Sequence, residues 1–334
     1  MGMSRLCELE EKLAEAPQGK LLVKRHGTEP AAGVCMEQVG FDAGRGLAEL
    51  WTVFPGVVLL HGCYSARQCG FRSGPLRPAL EVNHCRQGRA GWETPNGRTA
   101  CLGPGDLLLH AAGACEPVVS FPLGFYEGIS ISADLEILER EPPEILREAG
   151  IEGRQLAEKL CGQSGYAAMP ASAQIEHIFS ELYDLPPRLR MPYFKLKFQE
   201  LLLFLSMPEA AGTPQPDRYH TRQVETVRAI HAQLTERLDR RYTIEELARQ
   251  HLINTSALKA AFKAVYGQPV AAYMREYRVR EAARLLREEG GSIAEVAAAV
   301  GYESQSKFSA AFKEVFQVLP TAYRKQFQRR QEQE

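Results

Sequence analysis

Thr243-Ile244-Glu245-Glu246-Leu247-Ala248 returns almost unchanged as Ser292-Ile293-Ala294-Glu295-Val296-Ala297. Each copy reads Ser/Thr-x-x-Glu ahead of an apolar pair. In that pattern the hydroxyl accepts from a backbone amide one turn on, and the glutamate reaches back to the first amide, so two orphan donors of a new helix are satisfied together. The likeness then resumes one position out of step: Leu258 and Ala261-Phe262-Lys263 correspond to Phe308 and Ala311-Phe312-Lys313. A repeated unit follows, consisting of a short helix, a turn and a second helix.

In the first unit His251 to Ile253 make the turn and Asn254 caps the second helix, on which Leu258, Ala261, Phe262 and Val265 share a buried stripe. Thr255, Ser256, Lys259, Ala260 and Lys263 lie on the other face. In the second unit Gly301 allows the turn, Ser304 caps, and Phe308, Ala311, Phe312 and Val315 form the stripe, leaving Gln305, Ser306, Lys307, Ser309, Ala310 and Lys313 outside. Small polar and basic side chains beside a helix N-terminus are suited to donate to phosphates and to reach base edges in a DNA major groove. The expected contacts are therefore Asn254, Thr255, Ser256, Lys259 and Lys263, and Ser304, Gln305, Ser306, Lys307, Ser309 and Lys313. Between the copies, Pro269 opens a helix to about Glu289, with Tyr273, Tyr277, Ala282, Leu285 and Leu286 placed for packing, and Gly290-Gly291 ends it. Its span of about 30 Å nearly matches the roughly 34 Å between successive major-groove faces.

Charge agrees with this reading. Residues 221–330 hold about 19 basic and 12 acidic side chains, whereas the whole chain carries a net charge of −1, so the remainder is acidic. A basic module tethered to an acidic one suits a polyanionic partner for the former.

The run from Tyr242 to Arg324 includes Ile244-x-x-Leu247-Ala248, Leu258-x-x-x-Phe262-Lys263, Tyr273-x-x-x-Tyr277-Arg278 and Ala282-x-x-Leu285-Leu286. It continues with Ile293-x-x-Val296-Ala297, Val300-Gly301-Tyr302, Phe308-x-x-x-Phe312-Lys313 and Pro320-x-x-Tyr323-Arg324, and it resembles the AraC/XylS family of bacterial transcription regulators. The resemblance implies a DNA-binding domain of two helix-turn-helix units over residues 220–330, with double-stranded DNA and RNA polymerase as partners. Gln317 departs from the pattern, since the family usually has glycine closing the second recognition helix. Ala260 and Ala310 stand where many members carry larger polar readers.

With 334 residues, 45% of them apolar, the chain can bury two or three cores. From residue 20 to about 132, glycine and proline punctuate short apolar runs such as Val57 to Leu60, Leu107 to Leu109 and the alternating Gly128-Ile129-Ser130-Ile131-Ser132, which predicts many short strands in a barrel or sandwich. Helical periodicity takes over from Pro142, and MPEAAGTPQP at 207–216 has linker composition. The expected architecture is α+β: residues 1–140 a β domain, 141–206 helices, 207–219 a linker and 220–330 an all-α domain.

By the family resemblance, the β domain is a cupin-like barrel that senses a small-molecule effector. Leu102-Gly103-Pro104-Gly105-Asp106-Leu107 looks like a turn entering a late cupin strand. By the same analogy, the helices bearing Ile178, Leu182, Phe194, Phe198, Leu201 and Leu205 pair two protomers into a homodimer; packing against their own barrel is the alternative. Arg77, His84, Arg86 and Trp92 are candidates for an effector pocket, against outward solvated arginines and a core tryptophan.

All eight cysteines fall in the first half, without a CxxC pair, and are read as reduced thiols; a metal or redox sensor built from His61, Cys63, Cys69, His84, Cys85, His110 and Cys115 is the alternative, but the HxH pattern usual in cupin metal sites is missing, so neither metal nor cofactor is expected. No Gly-rich phosphate loop or nucleophile elbow points to an enzyme. The rival readings are a cupin-type enzyme with an appended nucleic-acid module and a nonspecific architectural DNA-binding protein. Met1 to Lys12 lacks the apolar core of a signal peptide, and no apolar run nears the roughly twenty residues of a membrane helix, so a cytoplasmic location is expected.

Overall fold

Alternating apolar residues bounded by turn formers do become strands throughout the first of two compact units, Met1–Thr221. The computed structural model describes residues 9, 11–26, 37–41, 44–72, 78–94, 96–111, 114–115, 118–207, 220–288 and 291–331. Residues 208–219 of the expected linker, and Arg77 and Gly290, lie outside them.

The strands are β1 (Lys20–His26), β2 (Glu37–Phe41), β3 (Arg45–Phe54), β4 (Val57–Ser65), β5 (Gln68–Arg72), β6 (Ala79–Gly88), β7 (Ala90–Thr94), β8 (Arg98–Leu102), β9 (Leu107–Ala111), β10 (Val118–Ser120), β11 (Tyr126–Asp134) and β12 (Tyr166–Met169). They form a seven-stranded sheet in the order β1-β3-β4-β11-β6-β9-β12 and a five-stranded sheet in the order β2-β5-β10-β7-β8. Only β1 and β3 pair in parallel among these strands. Neither sheet closes on itself among the described residues, so the expected barrel is instead two open sheets.

Both faces of the larger sheet are covered. Tyr64, Cys85, Leu108 and Tyr126 on one face meet Cys69, Ala90, Ala100 and Leu102 of the smaller sheet. The other face carries Trp51, Leu59, Val82, Leu107, Ile129 and Ile131 against helices. Those helices are α1 (Leu135–Arg140), α2 (Glu144–Glu148), α3 (Gly153–Cys161), α4 (Ala173–Phe179) and α5 (Pro187–Ser206). Phe194 meets Trp51 edge-on at 5.0 Å, and Phe198 lies 5.7 Å from Phe54.

This packing corrects the assignment of the helical stripe. Ile178, Leu182, Phe194, Phe198, Leu201 and Leu205 belong to the chain's own core, each at most 4% exposed. They share that sheet face with Leu135, Leu138, Leu156 and Leu160 of α1 and α3, so the intramolecular alternative accounts for the stripe and these six side chains are closed to a second protomer.

The second unit, Arg222–Glu334, is helical. It holds α6 (Thr221–Glu236), α7 (Ile244–Gln250), α8 (Thr255–Tyr266), α9 (Val270–Glu288), α10 (Ile293–Ala299), α11 (Gln305–Phe316) and α12 (Pro320–Gln331). No helix among the described residues is long and apolar enough to cross a membrane.

Candidate nucleic-acid interface

The repeated hexapeptides open α7 and α10 as their spacing dictates. Thr243 Oγ1 accepts from the Glu246 amide at 3.1 Å while Glu246 accepts from the Thr243 amide at 2.8 Å. Ser292 and Glu295 repeat the exchange at 3.2 and 2.7 Å. Those backbone amides hold both glutamates below the usual carboxylate range.

Each second helix is capped by the expected residue: Asn254 Oδ1 accepts from the Ala257 amide at 2.7 Å, and Ser304 Oγ from the Lys307 amide at 3.2 Å. Their first task is therefore to start α8 and α11 rather than to read bases. Leu258, Ala261, Phe262 and Val265 are buried on α8, as are Phe308, Ala311 and Phe312 on α11, where Val315 is half-buried and Phe316 buried instead. Ser256, Lys259 and Lys263 are exposed and Thr255 is half-buried. On α11 Gln305, Ser306, Lys307 and Lys313 are exposed and Ser309 is half-buried.

Ion pairs of this unit fall on Arg237, Arg275, Arg280 and Arg284, and among the described residues none engages the four recognition-helix lysines. Charges without a partner are available to phosphate without first breaking a contact.

The long helix α9 joins the two copies and packs against α8, α10, α11 and α12. On the first side Tyr273 sits 5.6 Å from Phe262 and 5.1 Å from Tyr266, and its hydroxyl lies 2.9 Å from His231 Nε2 on α6. In the second copy Tyr323, on α12, packs 5.4 Å from Phe312 and 5.0 Å from Phe316 of α11. Arg275 of α9 pairs with Glu314 of α11. Sequence reasoning did not single out α6, although Val224, Val227, Ile230 and Leu234, all buried, carry its helical spacing.

A family model described as a helix-turn-helix domain matches residues 247–326, from within α7 into α12. A Streptomyces lividans protein named as an AraC-like transcription regulator is 42% identical over 86 residues, 26% of this chain and 28% of that one. The transcriptional activator RhaR of Mannheimia succiniciproducens is 27% identical over 34% of this chain and 42% of its own. The regulator AlkR of Acinetobacter baylyi is 33% identical over 32% and 34% respectively. The second unit carries a helix-turn-helix domain similar in sequence to those of AraC-like transcription regulators. This chain spans less than half the length of these curated relatives.

Two turns within the helix-turn-helix domain need a left-handed residue in each copy. The turn between helices places Leu252 (φ 53°) in the first and Gly301 (φ 81°) in the second. The cap after the recognition helix places Gly267 (φ 82°) in the first and Gln317 (φ 60°) in the second. Gln317 therefore keeps the cap geometry that its departure from the family pattern put at issue; its amide donates to Lys313 O at 2.8 Å.

Outside the helix-turn-helix domain, the described effector-pocket candidates His84, Arg86 and Trp92 are not brought together. His84 is 2% exposed, stacks 4.3 Å from Phe179, and lies 2.7 Å from the Tyr183 hydroxyl through Nδ1. Burial takes its pKa down to about 3, so it is a neutral core residue. Arg86 is held by Asp184 at 2.6 and 3.2 Å and lies over the Tyr183 ring. Trp92 is half-buried against the core between the sheets. Strand alternation is the reason: His84 and Arg86 share the helix-facing side of the larger sheet, away from Trp92.

What the sequence reading missed is a polar row on the opposite side of β6 and β11. Ser130 pairs with Asn83 in register and Ser132 with Glu81, which in turn pairs with His110. Ser130 Oγ donates to Asn83 Oδ1 at 2.6 Å and Ser132 Oγ to Glu81 at 2.7 Å, while Asn83 Nδ2 is buried without a partner. Burial, against the Ser132 hydrogen bond, raises Glu81 to about 7. The signal was present as Glu81-x-Asn83 and Ser130-x-Ser132, polar residues two apart inside otherwise apolar strands.

Proposed function

We propose that this protein is a sequence-specific DNA-binding regulator of transcription with α8 and α11 as its recognition helices. One observation carries the reading: two capped helices, each turning exposed polar and lysine side chains outward, pack on one helix of 19 residues. That helix is about 28 Å long, against roughly 34 Å per turn of DNA. Ser256, Lys259 and Lys263, and Gln305, Ser306, Lys307 and Lys313, are the proposed base and phosphate contacts, with Thr255 and Ser309 at their edges. Asn254 and Ser304 offer phosphates the donors that capping leaves unused. RhaR is named as an activator; activation through contact with RNA polymerase, in the cytoplasm, is the direction proposed here.

Residues 1–140 are proposed as a cupin-like sensor, 141–206 as its helical companion, 207–219 as a linker and 220–330 as the DNA-binding domain. Glu81, Asn83, His110, Ser130 and Ser132 replace the original pocket candidates as the effector-binding row, supported by the orphaned Asn83 amide. A homodimer would use the outer faces of α2 and α5, where Ile145, Leu189 and Leu196 are exposed.

Footprinting the full-length protein on genomic DNA tests the central claim. Discrete sites of about two turns per protomer are expected, whereas even protection would favour an architectural DNA-binding protein. Lys259→Ala and Lys307→Ala should each weaken binding: a lost base contact by about 1–3 kcal/mol with relaxed preference, a lost phosphate contact by lowering the salt slope by about one. Unchanged binding in both would remove these faces from the interface.

A further inference from the structure

Where β4 and β11 pass beneath the N-terminal segment, the helix-facing side of the larger sheet carries a polar cluster instead of an apolar one. His61 and Cys63 are two apart on β4 and so project from one face. Glu127 on β11 stands opposite Cys63 in register. Cys63 and Glu127 are each 1% exposed, and His61 is only partly so. His61 Nε2 lies 3.0 Å from Glu127 Oε1 and 3.6 Å from Cys63 Sγ, and the three donor atoms all fall within 4.8 Å of one another. Ligands around one tetrahedral ion, at bond lengths of about 2.0–2.3 Å, have a comparable spread, and a nitrogen, sulfur and oxygen set suits the zinc class of ion.

The cluster already holds a cation where such an ion would sit. Lys12 Nζ donates to the same Glu127 oxygen at 2.8 Å, Arg86 lies 3.5 Å from it, and Gln87 Nε2 donates to the other oxygen at 2.8 Å. Lys12, Arg86, Glu127 and Asp184 form one network of two cations and two anions, in which Lys12 makes the shortest contact of a cation with Glu127 and Arg86 the shortest with Asp184. The Lys12 side chain is 30% exposed, so its ammonium can turn into water. A divalent ion taking its place, with loss of the Cys63 thiol proton, leaves the net charge of the cluster unchanged: two positive charges arrive, and an ammonium and a proton leave. Uncompensated charge, the usual obstacle to a buried ion, does not arise.

We propose that His61, Cys63 and Glu127 form a binding site for a thiophilic divalent ion of the zinc class, with Lys12 as the cation that occupies the carboxylate when the ion is absent. Binding forms a metal–sulfur bond as the Cys63 S–H bond breaks, and releases one proton to solvent without any change of oxidation state. This goes beyond the DNA-binding reading and does not rest on it.

The test uses reduced, chelator-treated full-length protein titrated with Co²⁺ as a spectroscopic probe and with Zn²⁺ as competitor. A thiolate-to-cobalt charge-transfer band with tetrahedral visible bands is expected, saturating at one ion per chain and abolished by Zn²⁺. Cys63→Ser should remove the band and weaken cobalt binding by at least about 100-fold, the upper end of what even an outer-shell loss costs. Cys69→Ser and Cys85→Ser, whose thiols lie between the sheets, should leave it intact. Lys12→Gln removes the competing ammonium and should tighten binding severalfold, a result that does not depend on the Cys63 variant folding. Absence of a thiolate band, its survival in Cys63→Ser, or equal or weaker binding by Lys12→Gln would each overturn the proposal.

Discussion

Left-handed backbone costs an L-residue about 1–2 kcal/mol, and the two helix-turn-helix copies distribute that cost unevenly. Leu252 bears it in the turn of the first copy although its side chain is 95% exposed and gains nothing from burial. Gln317 bears it at the cap of the second, recovering part through Nε2, which donates to Glu314 O at 2.9 Å. Leu252→Gly and Gln317→Gly are each expected to stabilise the domain by about 1 kcal/mol, the first more cleanly, read as a shift in urea midpoint. Gly301→Ala should destabilise by more than about 2 kcal/mol, because φ is 81° and the new Cβ would meet the Leu238 carbonyl oxygen. A neutral Gly301→Ala would contradict the turn geometry described.

At the scale of elements, how much could be read depended on whether the determinants were local. Capping boxes, N-caps and the buried stripe of α8 involve residues within a turn or two of one another, and so Thr243, Asn254 and Phe262 were legible from spacing alone. The destination of an amphipathic stripe is not local: the same leucines serve an intramolecular sheet or a second subunit, and only the position of β3 beside α5 decides. Strand facing is similarly nonlocal. The register shift between Glu127 and Gly128 against β6 cannot be seen in either strand separately, so the side taken by a residue beside it, such as Arg86, is not legible from alternation alone.

The polar row on that same sheet makes a pH prediction. Glu81 binds its proton up to about 7 in the fold against an ordinary value near 4.5, so its stabilising neutral form is complete below about 4.5 and lost as pH rises through about 7. Glu81→Gln, which cannot ionise, should be more stable than the parent at about pH 8 and little changed near pH 4.5, measured by urea unfolding. Equal pH profiles for the two proteins would show that Glu81 is solvated.

For the whole molecule, the division into Met1–Thr221 and Arg222–Glu334 puts the proposed DNA reader and the proposed sensor in different units. A fragment of residues 220–334 is expected to keep the sequence preference of the full chain, within about tenfold in affinity per site, because the α8 and α11 faces and the helix between them are all inside it. Any response to a small molecule should be lost with the first unit. Electrophoretic mobility shifts on the footprinted sites check both, and a fragment that binds without preference would place part of the reader in the other unit.

Since the stripe on α4 and α5 is closed within a single chain, neither subunit of an assembly would have to lend the other its interior. Subunits could then meet and part with protein concentration without unfolding, and the degree of association would be free to follow occupancy of DNA rather than being fixed when the chain is made.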